Sequence, residues 1–207
     1  MKETLYSRRS NLVIGFHGCD QLVVDNLAEG KCDLNPSRND YDWLGNGIYF
    51  WENNEERALQ FAIESSKRKN STIKKPSVIA AVLDLGYCMD LTDSFYLKEL
   101  KEAYNALECS FRLVGIPLPK NVGVKGSNEI LIRKLDCSVI QLAHKINELT
   151  NPSTPYDSVK GVFWEGTPLY PGAGFSEKNH IQICVRNPNC IKGYFIPRKI
   201  NQEYNNP

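Results

Sequence analysis

Residues 43–62 read WLGNGIYFWENNEERALQFA, and the interpretation of this stretch decides the fold. Gly47-Ile48-Tyr49-Phe50-Trp51 is a β-prone run that ends at Glu52. Asn53 then offers an N-cap with Glu56 three residues on, Glu55 and Glu56 fill a first turn, and Lys67, Arg68 and Lys69 gather at the far end, matching a helix dipole. A strand feeding a capped helix is the expected unit. Upstream, the apolar run Leu12 to Phe16 ends in His17-Gly18. Asp20 is the N-cap expected for a helix through Leu22, Val23 and Leu27, with Gly30 as its stop. Between the two units, Lys31 to Asn46 is dense in Asn, Asp, Pro and Ser and is expected to be a loop.

Downstream, Pro76 precedes an apolar strand from Val78 to Leu85, and Asp93 is positioned to cap a helix through Leu97, Leu100, Ala103 and Leu107. Gly115, Pro117, Pro119 and Gly123 break any regular element between Phe111 and Val124. From Glu129 to Leu149 the apolar residues keep a helical period, and Asn151-Pro152 stops it. Val159 to Trp164 and Ile181 to Val185 are β-prone runs separated by the loop GTPLYPGAGFSEKN, and Tyr194 to Ile196 is a last strand. No internal repeat or linker-like shift in composition interrupts residues 1–207, so a single α+β domain is expected.

Composition narrows the function classes. The chain has 207 residues, 25 Lys+Arg against 24 Asp+Glu, so no global field favours nucleic acid and any such partner must be met by a local patch. The longest apolar stretch, Val78 to Leu83, is far short of the roughly 20 residues of a membrane span. The segment MKETLYSRRSNLVIGF lacks the pattern of a secretory signal, so the expected compartment is the cytoplasm. Cys19, Cys32, Cys88, Cys109, Cys137, Cys184 and Cys190 are odd in number and contain no C-x-x-C pair, which argues for mostly buried thiols and against a disulfide framework or zinc site. The His17/Cys19 and His180/Cys184 spacings lack partner pairs, and no metal is expected.

GFHGCD at 15–20, followed by WLGNGIYFWENNEERALQFA, resembles two consecutive signature segments of the ADP-ribosyltransferase superfamily, in its poly(ADP-ribose)-polymerase-like and diphtheria-toxin-like branch. In that branch a strand ends in His-Gly, a later G-x-G-I-Y-F strand leads into a helix with an Ala-rich face, and a strand near the C-terminus carries a Glu. The third strand is expected within HIQICVRNPNCIKGYF at 180–195. The resemblance implies split antiparallel β-sheets flanked by helices, NAD+ as co-substrate and release of nicotinamide. His17 would bond the adenosine ribose hydroxyl, the Gly18 backbone would pair with the nicotinamide carboxamide, and Tyr49 would stack on the nicotinamide. Gly47 and Phe50 fall within the same cofactor-binding signature. A second aromatic would close the other face; the family position falls nearest Gln60, and Phe61 is the adjacent aromatic.

The third position departs from the pattern. Gln182 stands where many members have the catalytic Glu, and an amide can bond the ribose 2′-hydroxyl but cannot accept a proton. Elongation to poly(ADP-ribose) is therefore not expected. Glu177, in the loop before that strand, is the preferred base toward an acceptor; Glu165 is the other carboxylate, and an alternative register makes His180 the third residue. The chemistry suits such a set. NAD+ already carries a cationic leaving group, so the protein must fix the ribose and support oxocarbenium character rather than supply a strong acid.

The function expected from these residues is mono-ADP-ribosylation of a macromolecular acceptor (protein, RNA or DNA) by a toxin or phage-defence effector, with an antitoxin protein as a further partner and no membrane. NAD+ glycohydrolysis, RNA 2′-phosphotransfer and non-catalytic ADP-ribose or partner binding are the alternatives. Each residue also has an ordinary reading: a buried, hydrogen-bonded His17, plain sheet packing for Tyr49, and an outward polar Gln182. The five cations among Lys67, Arg68, Lys69, Lys74 and Lys75 suit a solvated helix end as well as a phosphate-binding strip.

Overall fold

The computed structural model describes residues 12–123 and 130–205. The N-terminal stretch read for a leader and the Glu129 end of the expected fourth helix lie outside those residues. Strand β1 (Val13–Asp20) runs directly into α1 (Gln21–Ala28), because the Asp20 carboxylate accepts from the Leu22 amide. Its other oxygen accepts from the Lys74 and Lys75 amides at 2.6 and 2.8 Å, tying the helix start to the segment before β3 (Pro76–Leu83). Gly30 then turns the chain at φ +69°.

Strand β2 (Ile48–Glu52) and α2 (Glu55–Ser66) form the expected unit with one correction. Asn54, not Asn53, is the N-cap, accepting from the Arg57 amide, while Asn53 makes the turn in the left-handed region at φ +49°. Lys67 is the C-cap, so the cationic run follows the helix rather than filling its last turn. After β4 (Cys88–Asp90), Asp93 caps α3 (Ser94–Leu113) through the Phe95 amide.

The expected helix over 129–149 divides. Ile130–Arg133 is a strand, β6, paired with β5 (Asn121–Gly123), and α4 begins only at Lys134 and ends at Thr150. The physical reason is a cap from a distant strand: the Asn121 side-chain oxygen accepts from the Leu135 and Asp136 amides at 3.0 and 3.2 Å. The segment 180–195 also divides. Strand β8 (His180–Val185) ends at a 3₁₀ turn over Pro188–Cys190, and Ile191–Phe195 forms a separate strand, β9.

With β7 (Ser158–Phe163), the main sheet has the order β4-β7-β8-β2-β1-β3-β9. The fold is mixed α+β, a large sheet flanked by helices. It differs from the expected split antiparallel arrangement in two respects: these seven strands pair as one sheet, with β5 and β6 forming a separate two-stranded sheet, and β4 runs parallel to β7. Strand alternation assigns the faces. Ile48, Phe50, Ile183 and Val185 face one side, where Val24 and Leu27 of α1 join them in a buried cluster. Tyr49, Trp51, Gln182 and Cys184 face the other, which carries α2 over β1 and β3 and the α3–α4 pair over β7. Cys19, Cys88, Cys137, Cys184 and Cys190 are buried free thiols; Cys32 and Cys109 are exposed. No described helix is long and apolar enough to cross a membrane.

Candidate functional site

The three signature strands are neighbours in the sheet, in the order β8-β2-β1. Between β1 and β2 the ladder is short, registering Gly15 against Glu52 and Phe16 against Trp51. One residue on, His17 Nδ1 lies 2.7 Å from the Tyr49 carbonyl oxygen. A carbonyl only accepts, so Nδ1 carries the hydrogen and Nε2 is the acceptor of the neutral ring. Burial lowers the His17 pKa from its usual value, opposed by the bond to Tyr49, so the neutral form prevails near pH 7.

Tyr49 is held at both ends. Its backbone takes His17, and its hydroxyl donates to the Gly45 carbonyl at 2.6 Å while accepting from the Leu44 amide at 2.9 Å. The half-buried ring packs against the cluster under α3 and α4, and burial raises the hydroxyl pKa far above its usual range, so it stays protonated. Gly45 makes this turn possible at φ +77°.

Gln182 pairs with Trp51 on one side and Gly161 on the other. It is only 9% exposed, yet its amide makes no hydrogen bond to a described residue. Its amide is not fully enclosed and so remains open to a ligand. Directly opposed residues share a face, so Gln182 and Tyr49 lie on the same side of the sheet, on adjacent strands.

The expected cofactor-binding residues differ in their surroundings. A Cβ on Gly18 would stand 2.1 Å from the Ala58 carbonyl oxygen, so glycine here lets α2 approach β1. A Cβ on Gly47 would meet the Val185 carbonyl oxygen at 2.6 Å, so its bareness serves the packing of β2 on β8. Phe50 corrects the expectation outright: it is fully buried in the α1-side core and reaches no ligand. Its ring instead meets His17 edge-on at 5.8 Å, and the register of β1 puts the His17 side chain on this α1-side face, opposite to Tyr49 and Gln182. Phe61 is half-buried against Trp51, with ring centroids 4.9 Å apart.

Among the carboxylates, Glu177 is exposed in the hairpin between β7 and β8, its side chain 3.4 Å from the Thr167 amide. Glu165 is buried more deeply and accepts from Arg57 Nη2 at 2.6 Å. His180 has a fully buried side chain whose Nδ1 donates to the Lys178 carbonyl at 2.7 Å. The rings of Trp43, Trp51 and Phe163 stand within 6.4, 6.3 and 5.7 Å of it. Burial lowers its pKa, and its Nε2 has no partner among the described residues. This enclosure favours Gln182 over His180 for contact with a ligand.

Arg57 carries no local signal in the sequence. It is 4% exposed, its guanidinium lies 5.7 Å from the Trp51 ring centroid, and it joins α2 to the end of β7 through Glu165. Its partner is 108 residues away, beyond the reach of any local pattern.

A cavity of about 630 Å3 lies beside the site, between β7 and the α3–α4 pair. His17, Tyr49 and Gln182 do not line it, but two of its lining residues touch the site: Leu44, whose amide holds Tyr49, and Gly161, opposite Gln182.

The chain is similar to an uncharacterized protein of Methanocaldococcus jannaschii, 26% identical over 193 residues, which span 86% of this chain and 83% of that protein. No family model and no solved structure matches it.

Proposed function

We propose that the chain is an NAD+-dependent mono-ADP-ribosyltransferase that modifies a macromolecule and releases nicotinamide. The observation that carries this reading is Gln182: an amide with no hydrogen bond to a described residue, on the same face as Tyr49 and one strand away from it, while the Tyr49 carbonyl takes the His17 Nδ1–H. In this reading the Tyr49 ring stacks on nicotinamide and the Gln182 amide oxygen accepts the 2′-hydroxyl of the nicotinamide ribose, while His17, whose side chain lies on the opposite face, holds the Tyr49 backbone and reaches the adenosine ribose only where β1 and β2 part beyond Phe16. The Gly18 backbone pairs with the carboxamide.

The bond between the nicotinamide nitrogen and the ribose anomeric carbon breaks, and its electron pair leaves with neutral nicotinamide. The acceptor's nucleophile bonds to that carbon, and its proton passes to a base, with Glu177 on the hairpin as the preferred carboxylate. Glu165 is less suited, because Arg57 already occupies it. The amide at position 182 fits single transfer rather than chain growth.

The test is incubation with labelled NAD+ and cell extract, followed by protease or nuclease digestion. The expected result is free nicotinamide with label on a macromolecule, and the digestion identifies the acceptor class. Free ADP-ribose without labelling would instead mean a glycohydrolase. An NAD+-dependent rise in melting temperature without turnover would mean a binding module.

A further inference from the structure

The cavity between β7 and the α3–α4 pair has apolar walls and a cationic rim. A volume of about 630 Å3 is in the range of small-molecule sites, and the cavity opens to solvent on one side. Leu, Val and Ile side chains make up much of the lining, and Trp43, Phe163 and Trp164 add flat surfaces. Trp164 is 62% exposed, an uncovered indole at the cavity's edge.

The charged lining residues are Lys101, Arg133 and Asp136, a net charge of +1. Arg133 is held in place on every side but one. Its guanidinium carbon lies 4.3 and 5.0 Å from the Trp43 and Phe163 ring centroids, Nε donates to the Ile130 carbonyl at 3.1 Å, and Nη1 meets Asp136 at 3.4 Å. Asp136 is itself shared, its other oxygen accepting from Asn121 at 2.7 Å. Arg133 Nη2 makes no hydrogen bond to a described residue. An arginine braced against an aromatic wall, with one nitrogen unbonded among the described residues, is prepared for an oxyanion.

We propose that this cavity binds a small organic anion: a flat apolar body against the aromatic and aliphatic walls, with one carboxylate, sulfonate or phosphate met by Arg133 and Lys101. The proposal does not depend on NAD+ chemistry. Its occupant would press on Leu44 and Gly161, the residues next to Tyr49 and Gln182, so a ligand here abuts the candidate site.

The probe is 1-anilinonaphthalene-8-sulfonate, titrated by fluorescence without NAD+, beside its uncharged relative N-phenyl-1-naphthylamine. The wild-type protein is expected to bind one equivalent of each. Arg133→Gln should weaken the sulfonate about ten-fold, the size of a charge-assisted hydrogen bond, and leave the uncharged probe within about two-fold. Leu97→Trp fills the cavity from a half-exposed position on α3 and should weaken both probes. Melting curves establish that each variant is folded. Absence of saturable binding, or folded variants that bind both probes as the wild type does, overturns the proposal whatever the NAD+ assay gives.

Discussion

At the scale of single residues, the candidate site depends on groups whose hydrogen bonds are either complete or absent. Both functions of the Tyr49 hydroxyl are filled by the 44–45 loop. Tyr49→Phe should therefore cost about 1–3 kcal/mol of stability, read by urea unfolding, while its ring remains able to stack. An unchanged unfolding midpoint would mean that the loop does not depend on the hydroxyl. Gln182 is the opposite case, its side chain having no bond to a described residue to lose. Gln182→Ala should leave the fold intact and abolish nicotinamide release, whereas Glu177→Ala should keep nicotinamide release and reduce labelling of the acceptor; equal retention of both activities in Gln182→Ala would remove that residue from the site. His144 makes a clean pH prediction. Its buried ring has no partner among the described residues on either nitrogen, and burial, aided by Arg186, lowers its pKa to about 3. Because the folded value lies below the usual one near 6.5, the unfolded chain binds the proton first, and stability is lost as pH falls below about 6.5. His144→Phe should remove about 2 kcal/mol of the loss between pH 7 and 5; equal pH slopes for the variant and the wild type would contradict this.

At the scale of elements, the approach of α2 to β1 is the critical contact, because it brings the helix after the G-x-G-I-Y-F strand against the His-Gly strand. Gly18→Ala would push a methyl into the Ala58 backbone, which has no rotamer to give way. It should destabilise by about 1–3 kcal/mol or more and reduce NAD+-dependent melting shifts; a stable variant with the normal shift would show that the helix has room to move. The elements themselves were legible where their signals are local. Asp20 and Asp93 cap the helices expected of them, and the β-prone run before Glu52 is a strand. Expectation failed where a distant residue decides. Ile130 to Arg133 has a helical period, but pairing with β5 makes it a strand, and Asn121 caps the helix that follows. The division of 180–195 is similar, since the β8 and β9 segments pair with different strands, β2 and β7 against β3.

At the scale of the whole molecule, the sheet order brings β8, β2 and β1 together although their sequences are far apart, and a motif search could see the segments but not their adjacency. The candidate site residues were named from short local segments, which the sheet sets on neighbouring strands. The surroundings were not: the burial of Phe50, the Arg57–Glu165 pair and the cavity against β7 all arise from contacts between remote segments. The near-neutral charge of the chain likewise conceals an exposed strip, Lys67 to Lys69 with Lys74 and Lys75, beyond the end of α2. The central claim is that the strands carrying His17, Tyr49 and Gln182 form a site that cleaves NAD+. Its most direct test is nicotinamide release from NAD+ by the purified protein, measured beside a folded Tyr49→Ala variant. The account predicts release by the wild type and none by the variant; neither consumption nor binding of NAD+ by the wild type, or equal release by both proteins, would contradict it.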